Sequence, residues 1–182
     1  MTQQAASSAD VVGFWREAGP KKWFRKDPAF DRAFRDRFLA AHEAAAAGQL
    51  RDWADSAEGA LALVLLLDQF PRNAFRDTPR MYATDAQARA AADQAIEAGH
   101  DRQVDAPLRP FFYMPLMHSE DLRDLERCVT CMEGVGGDSL RYALHHRDIV
   151  ARFNRFPHRN AVLGRASTEE EERFLAKGGF GG

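Results

Sequence analysis

Three observations predict an all-α protein. Apolar residues recur at three- and four-residue spacing along nearly the whole chain, strand-like alternation is absent, and capping residues, glycines and prolines mark the segment ends. With 182 residues and no linker-like stretch, residues 1–182 read as a single domain, an array of seven or more helices.

The first helix, residues 11–17, carries Phe14 and Trp15 and stops at Gly19-Pro20. Asp27-Pro28 opens the second: Asp is a good N-cap, and proline in the first turn wastes no hydrogen bond. Phe30, Phe34 and Phe38 line one stripe of that helix, backed by Ala41, and Gly48 ends it. Ser56 starts a third helix that runs through the apolar residues 60–67 to Phe70, where Pro71 is expected to stop it. Apolar on every side, this helix belongs at the centre and should be nearly dry. Thr84 caps an alanine-rich helix over 85–98, closed by Gly99. Residues 110–117 form a short aromatic helix, and Ser119 caps the next one, to about Glu133. Gly136-Gly137-Asp138 restarts the chain into a helix over 139–156. Ser167-Thr-Glu-Glu170 matches a capping box anchored by Phe174 and Leu175. The tail, residues 178–182, is expected to fray. Helix starts near 9, 28, 56, 84, 119, 138 and 167 are unevenly spaced, so no strict repeat period is present.

Composition excludes more than it selects. Twenty-seven acids against 25 bases leave a charge of −2, which predicts no nucleic-acid and no membrane partner. The bases are 21 arginines and only Lys21, Lys22, Lys26 and Lys177. Residues 1–10 lack the form of a signal peptide, and the longest apolar run falls far short of the ~20 residues that span a bilayer. Cys128 and Cys131 are too few for a disulfide framework, so a cytoplasmic location is expected. The same two form a lone C-x-x-C on a helix, where small core residues, reduced and without metal, are the expectation. No dinucleotide, Walker, zincin or nucleophile-elbow motif occurs, and no cofactor is predicted.

Three features carry polar chemistry. An internal echo places Phe-Pro at a helix end followed by Arg-Asn, once at Asp68-Gln-Phe-Pro-Arg72-Asn73 and again at Arg155-Phe-Pro-His-Arg159-Asn160, with His158 extra in the second copy. Either the two arms converge on an acidic group, or each arginine reaches back to cap a helix C-terminus. Pro110-Phe-Phe-Tyr-Met-Pro-Leu-Met-His-Ser-Glu-Asp121 runs aromatic rings into His118, Glu120 and Asp121, which suit either acid–base work or a helix start. His146 shares a stripe with Tyr142, Ile149 and Phe153, on the helix that leads into the second arm.

Residues 67–76, 111–120 and 155–165 resemble, in order, the signature blocks of the bacterial domain-of-unknown-function family numbered 924. With Phe14-Trp15 and Ser167-Thr-Glu-Glu170 the resemblance covers nearly the whole chain. It implies an all-helical array shaped like the tetratricopeptide superhelices, although the tetratricopeptide pattern itself is missing here. It supplies no activity and no catalytic residues.

Two functions from different classes follow. The first is a polar pocket between helices that binds a small acidic ligand, with acid–base chemistry. Its ligand-binding residues are Asp68, Gln69, Arg72, Asn73, Arg159 and Asn160, and its catalytic candidates are His118, Glu120 and His146. The second is a helical scaffold that binds a peptide or protein in a concave groove, an expectation that rests on shape alone.

Overall fold

The computed structural model describes residues 6–181; the expectations for residues 1–5 and for Gly182 lie outside them. Every regular element among the described residues is helical, with no strand. The chain's contacts fall into two compact units. One holds residues 1–76 and 80–115, the other 77–79 and 116–182.

The first unit begins with α1 (Ser8–Ala18), whose capping box pairs Ser7 with Asp10, and the short α2 (Pro20–Trp23). Gly19, at φ 68°, makes the turn between them that a residue with a Cβ would resist. In α3 (Pro28–Ala46), Asp27 accepts the Ala29 and Phe30 N–H groups, as expected. Phe30, Phe34 and Phe38 are buried, stacked or edge-on against Phe14 and Trp15. Ser56 caps α4 (Ala57–Val64) by accepting from Gly59 N–H. Residues 60–67 are dry, Leu63 to Leu67 being at most 7% exposed.

Pro71 does not stop this helix. The chain continues through a π-helical turn (Leu65–Gln69) into α5 (Phe70–Ala74). Proline has no N–H for the carbonyl behind it, Leu67 four residues back or, in the π register that Phe70 adopts toward Leu65, Leu66 five back. Outside donors reach both: the Thr84 hydroxyl donates to the Leu67 carbonyl at 2.6 Å, and His42 Nδ1 donates to the Leu66 carbonyl at 2.9 Å. Thr84 is thereby spent, and although it occupies the N-cap position of α6 (Asp85–Glu97), it gives no side-chain capping bond.

Apart from residues 77–79, the chain passes between units once, at Pro115–Leu116, within α7 (Pro110–Met117). In the second unit α8 (Leu122–Glu133) packs with α9 (Gly137–Phe153), and α10 (Glu169–Ala176) closes it. Leu125, Ile149, Val150 and Phe156 form its core, with Phe153, Phe174 and Phe180 packed against them.

Four further expectations need correction. Asp121, not Ser119, caps α8; the Ser119 hydroxyl accepts the Asp121 N–H and donates to Asp124. The capping box of α10 is shifted by one residue, pairing Thr168 with Glu171. Tyr142 is half exposed rather than part of the apolar stripe, lying beside the Arg141 guanidinium. The tail is held through Phe180: Gly178 and Gly179 N–H groups bond the Leu175 and Phe174 carbonyls, and the Phe180 ring packs on histidines.

Candidate functional site

The first arm lies in the first unit. The π-turn carries Asp68 and Gln69 into the interior, where both are buried and Gln69 Nε2 donates to Asp68 Oδ2 at 2.7 Å. Arg72 is held from two sides. Its Nη1 lies 3.1 Å from Asp68 Oδ1 and donates to the Asp68 carbonyl at 2.9 Å, while both of its terminal nitrogens grip Asp85 at 2.8 and 3.0 Å. Only 12% of the Arg72 side chain is exposed. Asn73 turns instead to Asp31 Oδ1, which also receives Arg76. An acidic ligand at Arg72 would have to displace the protein's own carboxylates.

The second arm, in the second unit, takes a different backbone form. Pro157–Arg159 is a 3-10 turn, whereas Pro71 and Arg72 sit inside a helix. Arg159 Nη2 donates to the His118 carbonyl at 3.0 Å, just past the C-terminus of α7, and its guanidinium lies over the Phe156 ring. The bond serves the chain just beyond α7, not the C-terminus of α9, the helix that Arg159 follows. Asn160 serves the local frame: its Nδ2 donates to Ser167 and Glu171, and its Oδ1 accepts from Arg165.

Glu120 is a structural carboxylate. Arg165 grips it at 2.7 and 2.9 Å, and the Phe156 N–H donates to it at 2.8 Å. Burial pushes its pKa up, but these donors outweigh burial and hold it below the ordinary value. Glu171 does the same work beside it: hydrogen bonds from Arg155, against burial, take its pKa to about 2.

His146 is different. Only 7% exposed, it directs Nδ1 at the Tyr142 carbonyl 2.8 Å away. A carbonyl only accepts, so Nδ1 holds the proton and Nε2 of the neutral ring carries a lone pair. The rings of His118 and His145 lie 6.5 and 6.3 Å from it, and Phe180 covers it edge-on at 4.6 Å. Burial, then the charges of His118, His145 and Arg159, drive the His146 pKa down to about 3 against the opposing pull of the Tyr142 carbonyl. His158, 5.1 Å from the Phe180 ring, is lowered to about 4 by burial and then by Arg159, with Glu120 opposing. The His118 and His146 rings thus lie close together, the Phe180 ring packs edge-on against His146 and His158, and Arg159 opposes protonation of both.

Sequence reasoning placed His118, His146 and Arg159 but passed over His158 and Phe180. His158 stood in plain view as the extra residue of the second arm. Phe180 offered no signal, being one aromatic in a glycine-rich tail. Arg165 and Asp85, which neutralise Glu120 and Arg72, lie 45 and 13 positions away from them. Cys128 is buried, and burial, then Cys131, raise its thiol to about 12, which leaves it protonated and inert at neutral pH. Among the described residues no group of three or more His, Cys, Asp or Glu is placed to hold a metal ion, and no helix is long and apolar enough to cross a membrane.

The described residues thus make an all-helical chain in which His118, His146 and His158 gather near Arg159. The chain belongs to the family described as bacterial protein of unknown function (DUF924), whose pattern matches residues 11–179. It is similar to a solved structure from Agrobacterium tumefaciens, the protein of unknown function ATU0120. The two are 54% identical, with 96% of this chain and 99% of that one covered at a TM-score of 0.93. No functionally curated protein matches.

Proposed function

We propose that the second unit binds a small acidic ligand, a carboxylate or a phosphate, at His118, His146, His158 and Arg159, with His146 exchanging a proton with it. What carries the reading is the buried His146, whose backbone bond leaves Nε2 with its lone pair and whose protonation is opposed by burial and then by His118, His145 and Arg159. A bound anion relieves that opposition. Nearby Glu120 is committed to Arg165 and the Phe156 N–H, which favours an anion from solution as the relieving charge. The first arm gives this reading less support, since Asp68 and Asp85 already share Arg72.

The test is thermal unfolding at pH 6 in phosphate, sulfate and a panel of carboxylates. A ligand of the folded state at a hundredfold excess over Kd stabilises by roughly 2.7 kcal/mol. An active anion should raise the melting temperature, and more so as pH falls from 7 towards 5, because the bound state takes up the proton. Arg159→Ala should abolish the rise, whereas Arg147→Ala, which removes a guanidinium paired with Asp148, should not. If no anion moves the melting point, the acidic-ligand reading fails and a groove-binding scaffold becomes the better account.

A further inference from the structure

Residues 20–26 of the first unit read Pro-Lys-Lys-Trp-Phe-Arg-Lys, and every one except Trp23 is exposed. Trp23 anchors the segment: its ring is buried, its Nε1 donates to the Trp15 carbonyl at 2.6 Å, and it meets Phe111 edge-on at 5.0 Å. Phe24 next to it is 68% exposed, far more than any other large apolar side chain among the described residues. One of its faces rests on Phe111, at 6.0 Å between centroids and 13° from parallel. The ring is therefore backed on one face by Phe111 while standing out of the surface. Burying it in water-free surroundings would be favourable, yet the fold keeps it outside.

The cations around it are as distinctive. Lys21, Lys22, Arg25 and Lys26 make no ion pair among the described residues. The acid that acts on Lys22 and Arg25 is Asp27, whose carboxylate is occupied capping α3. The choice of base also departs from the rest of the chain. Three of its four lysines fall in this segment beside a single arginine, although arginine outnumbers lysine 21 to 4 overall. Arginine suits a partner of fixed geometry, which its planar fork can grip bidentately. Lysine is a flexible point charge that suits a partner whose anions have no fixed positions. Residues 20–26 hold no Ser, Thr, Asn, Gln or Tyr that would read a specific hydrogen-bonding pattern.

We infer that this segment docks the protein peripherally on an anionic lipid surface, with Phe24 entering the headgroup–acyl boundary and the four cations lying against the phosphates. An apolar ring that projects among long basic side chains is the combination such a surface holds, because the ring is buried while the charged ends remain at the interface. The net charge of −2 is an average over the chain and conceals this local excess. The inference concerns the first unit and is independent of the histidine cluster.

The experiment is flotation of the whole protein with vesicles of pure phosphatidylcholine and of 70:30 phosphatidylcholine:phosphatidylglycerol, at 50 and 500 mM salt. The protein should float with the anionic vesicles at 50 mM salt and with neither kind at 500 mM. Each basic residue near such a surface is worth about fivefold in partitioning, so Lys21→Gln/Lys22→Gln/Lys26→Gln should weaken binding about a hundredfold. Phe24→Ala should weaken it about tenfold. These side chains are on the surface, so both variants should melt within a few degrees of the parent. Equal flotation on neutral vesicles, no flotation on anionic ones at low salt, or unchanged flotation of the triple variant would overturn the proposal. Salt-sensitive binding of a single-stranded oligonucleotide or of polyglutamate, with vesicles left untouched, would overturn it in favour of that partner.

Discussion

Replacing His146 should make the protein less sensitive to acid. In the unfolded chain an imidazole titrates near 6.5, whereas in the fold His146 titrates at about 3. The unfolded state therefore takes up the proton first, and stability present at pH 7 is lost as pH falls through 6.5, continuing to about 3. Between pH 7 and pH 5 the loss from this residue is about 2 kcal/mol. His158, at about 4, contributes a similar amount, and His42 adds to it in the same direction, lowered by burial despite its bond to the Leu66 carbonyl. Glu171 acts in a lower window, since its stabilisation is lost only below about pH 4.5. Urea unfolding at pH 7.0 and 5.0 isolates the histidine. His146→Gln keeps a donor for the Tyr142 carbonyl but cannot take up a proton. It should be less stable than the parent at pH 7 and recover about 2 kcal/mol relative to it at pH 5. If variant and parent lose equal stability over this range, His146 titrates normally in the fold, and the proposed proton exchange with a bound anion loses its basis.

Two further outcomes are expected. Arg72→Lys should cost about 2 kcal/mol in urea unfolding, because one ammonium cannot span the Asp68 carbonyl and both carboxylates of Asp68 and Asp85; a variant as stable as the parent would refute the two-sided grip. Cys128→Ala/Cys131→Ala should cost on the order of 1–3 kcal/mol from lost packing. The parent should carry no zinc by elemental analysis, and stoichiometric zinc that vanished in the double variant would refute the reading.

What was legible in the sequence was the part encoded locally. The Phe30, Phe34 and Phe38 stripe, the Asp27 and Ser56 caps and the dry run 60–67 each depend on neighbours a turn away, and each appears as read. The misreadings have non-local causes. Pro71 breaks a helix only if the carbonyl it leaves unmet stays unmet, and Thr84 and His42 meet the exposed carbonyls from 17 and 24 positions away. Ser119 and Asp121 are both good caps two residues apart, and Asp124 decides between them by accepting the serine hydroxyl. The two arms look alike in sequence because Phe-Pro and Arg-Asn repeat. They differ in space because one sits in a helix that outlasts its proline and the other in a 3-10 turn. For the histidine cluster, sequence supplied the residue types but no way to see that a tail phenylalanine would cover them.

The helix that carries Asp68 and Arg72 is consequently a conditional object. Its backbone between Leu65 and Ala74 is complete only when α3 has brought His42 and the loop before α6 has brought Thr84. A nascent chain that has emerged only as far as Ala74 lacks Thr84, and with it the hydroxyl that meets the Leu67 carbonyl in the fold. The burial of Asp68 and the placing of Arg72 against Asp85 must then wait for the same later segment, because Thr84 and Asp85 are adjacent in the chain. One short stretch of loop both completes the backbone and delivers the counter-charge. Backbone and ion pair are thereby made to assemble in a single cooperative step.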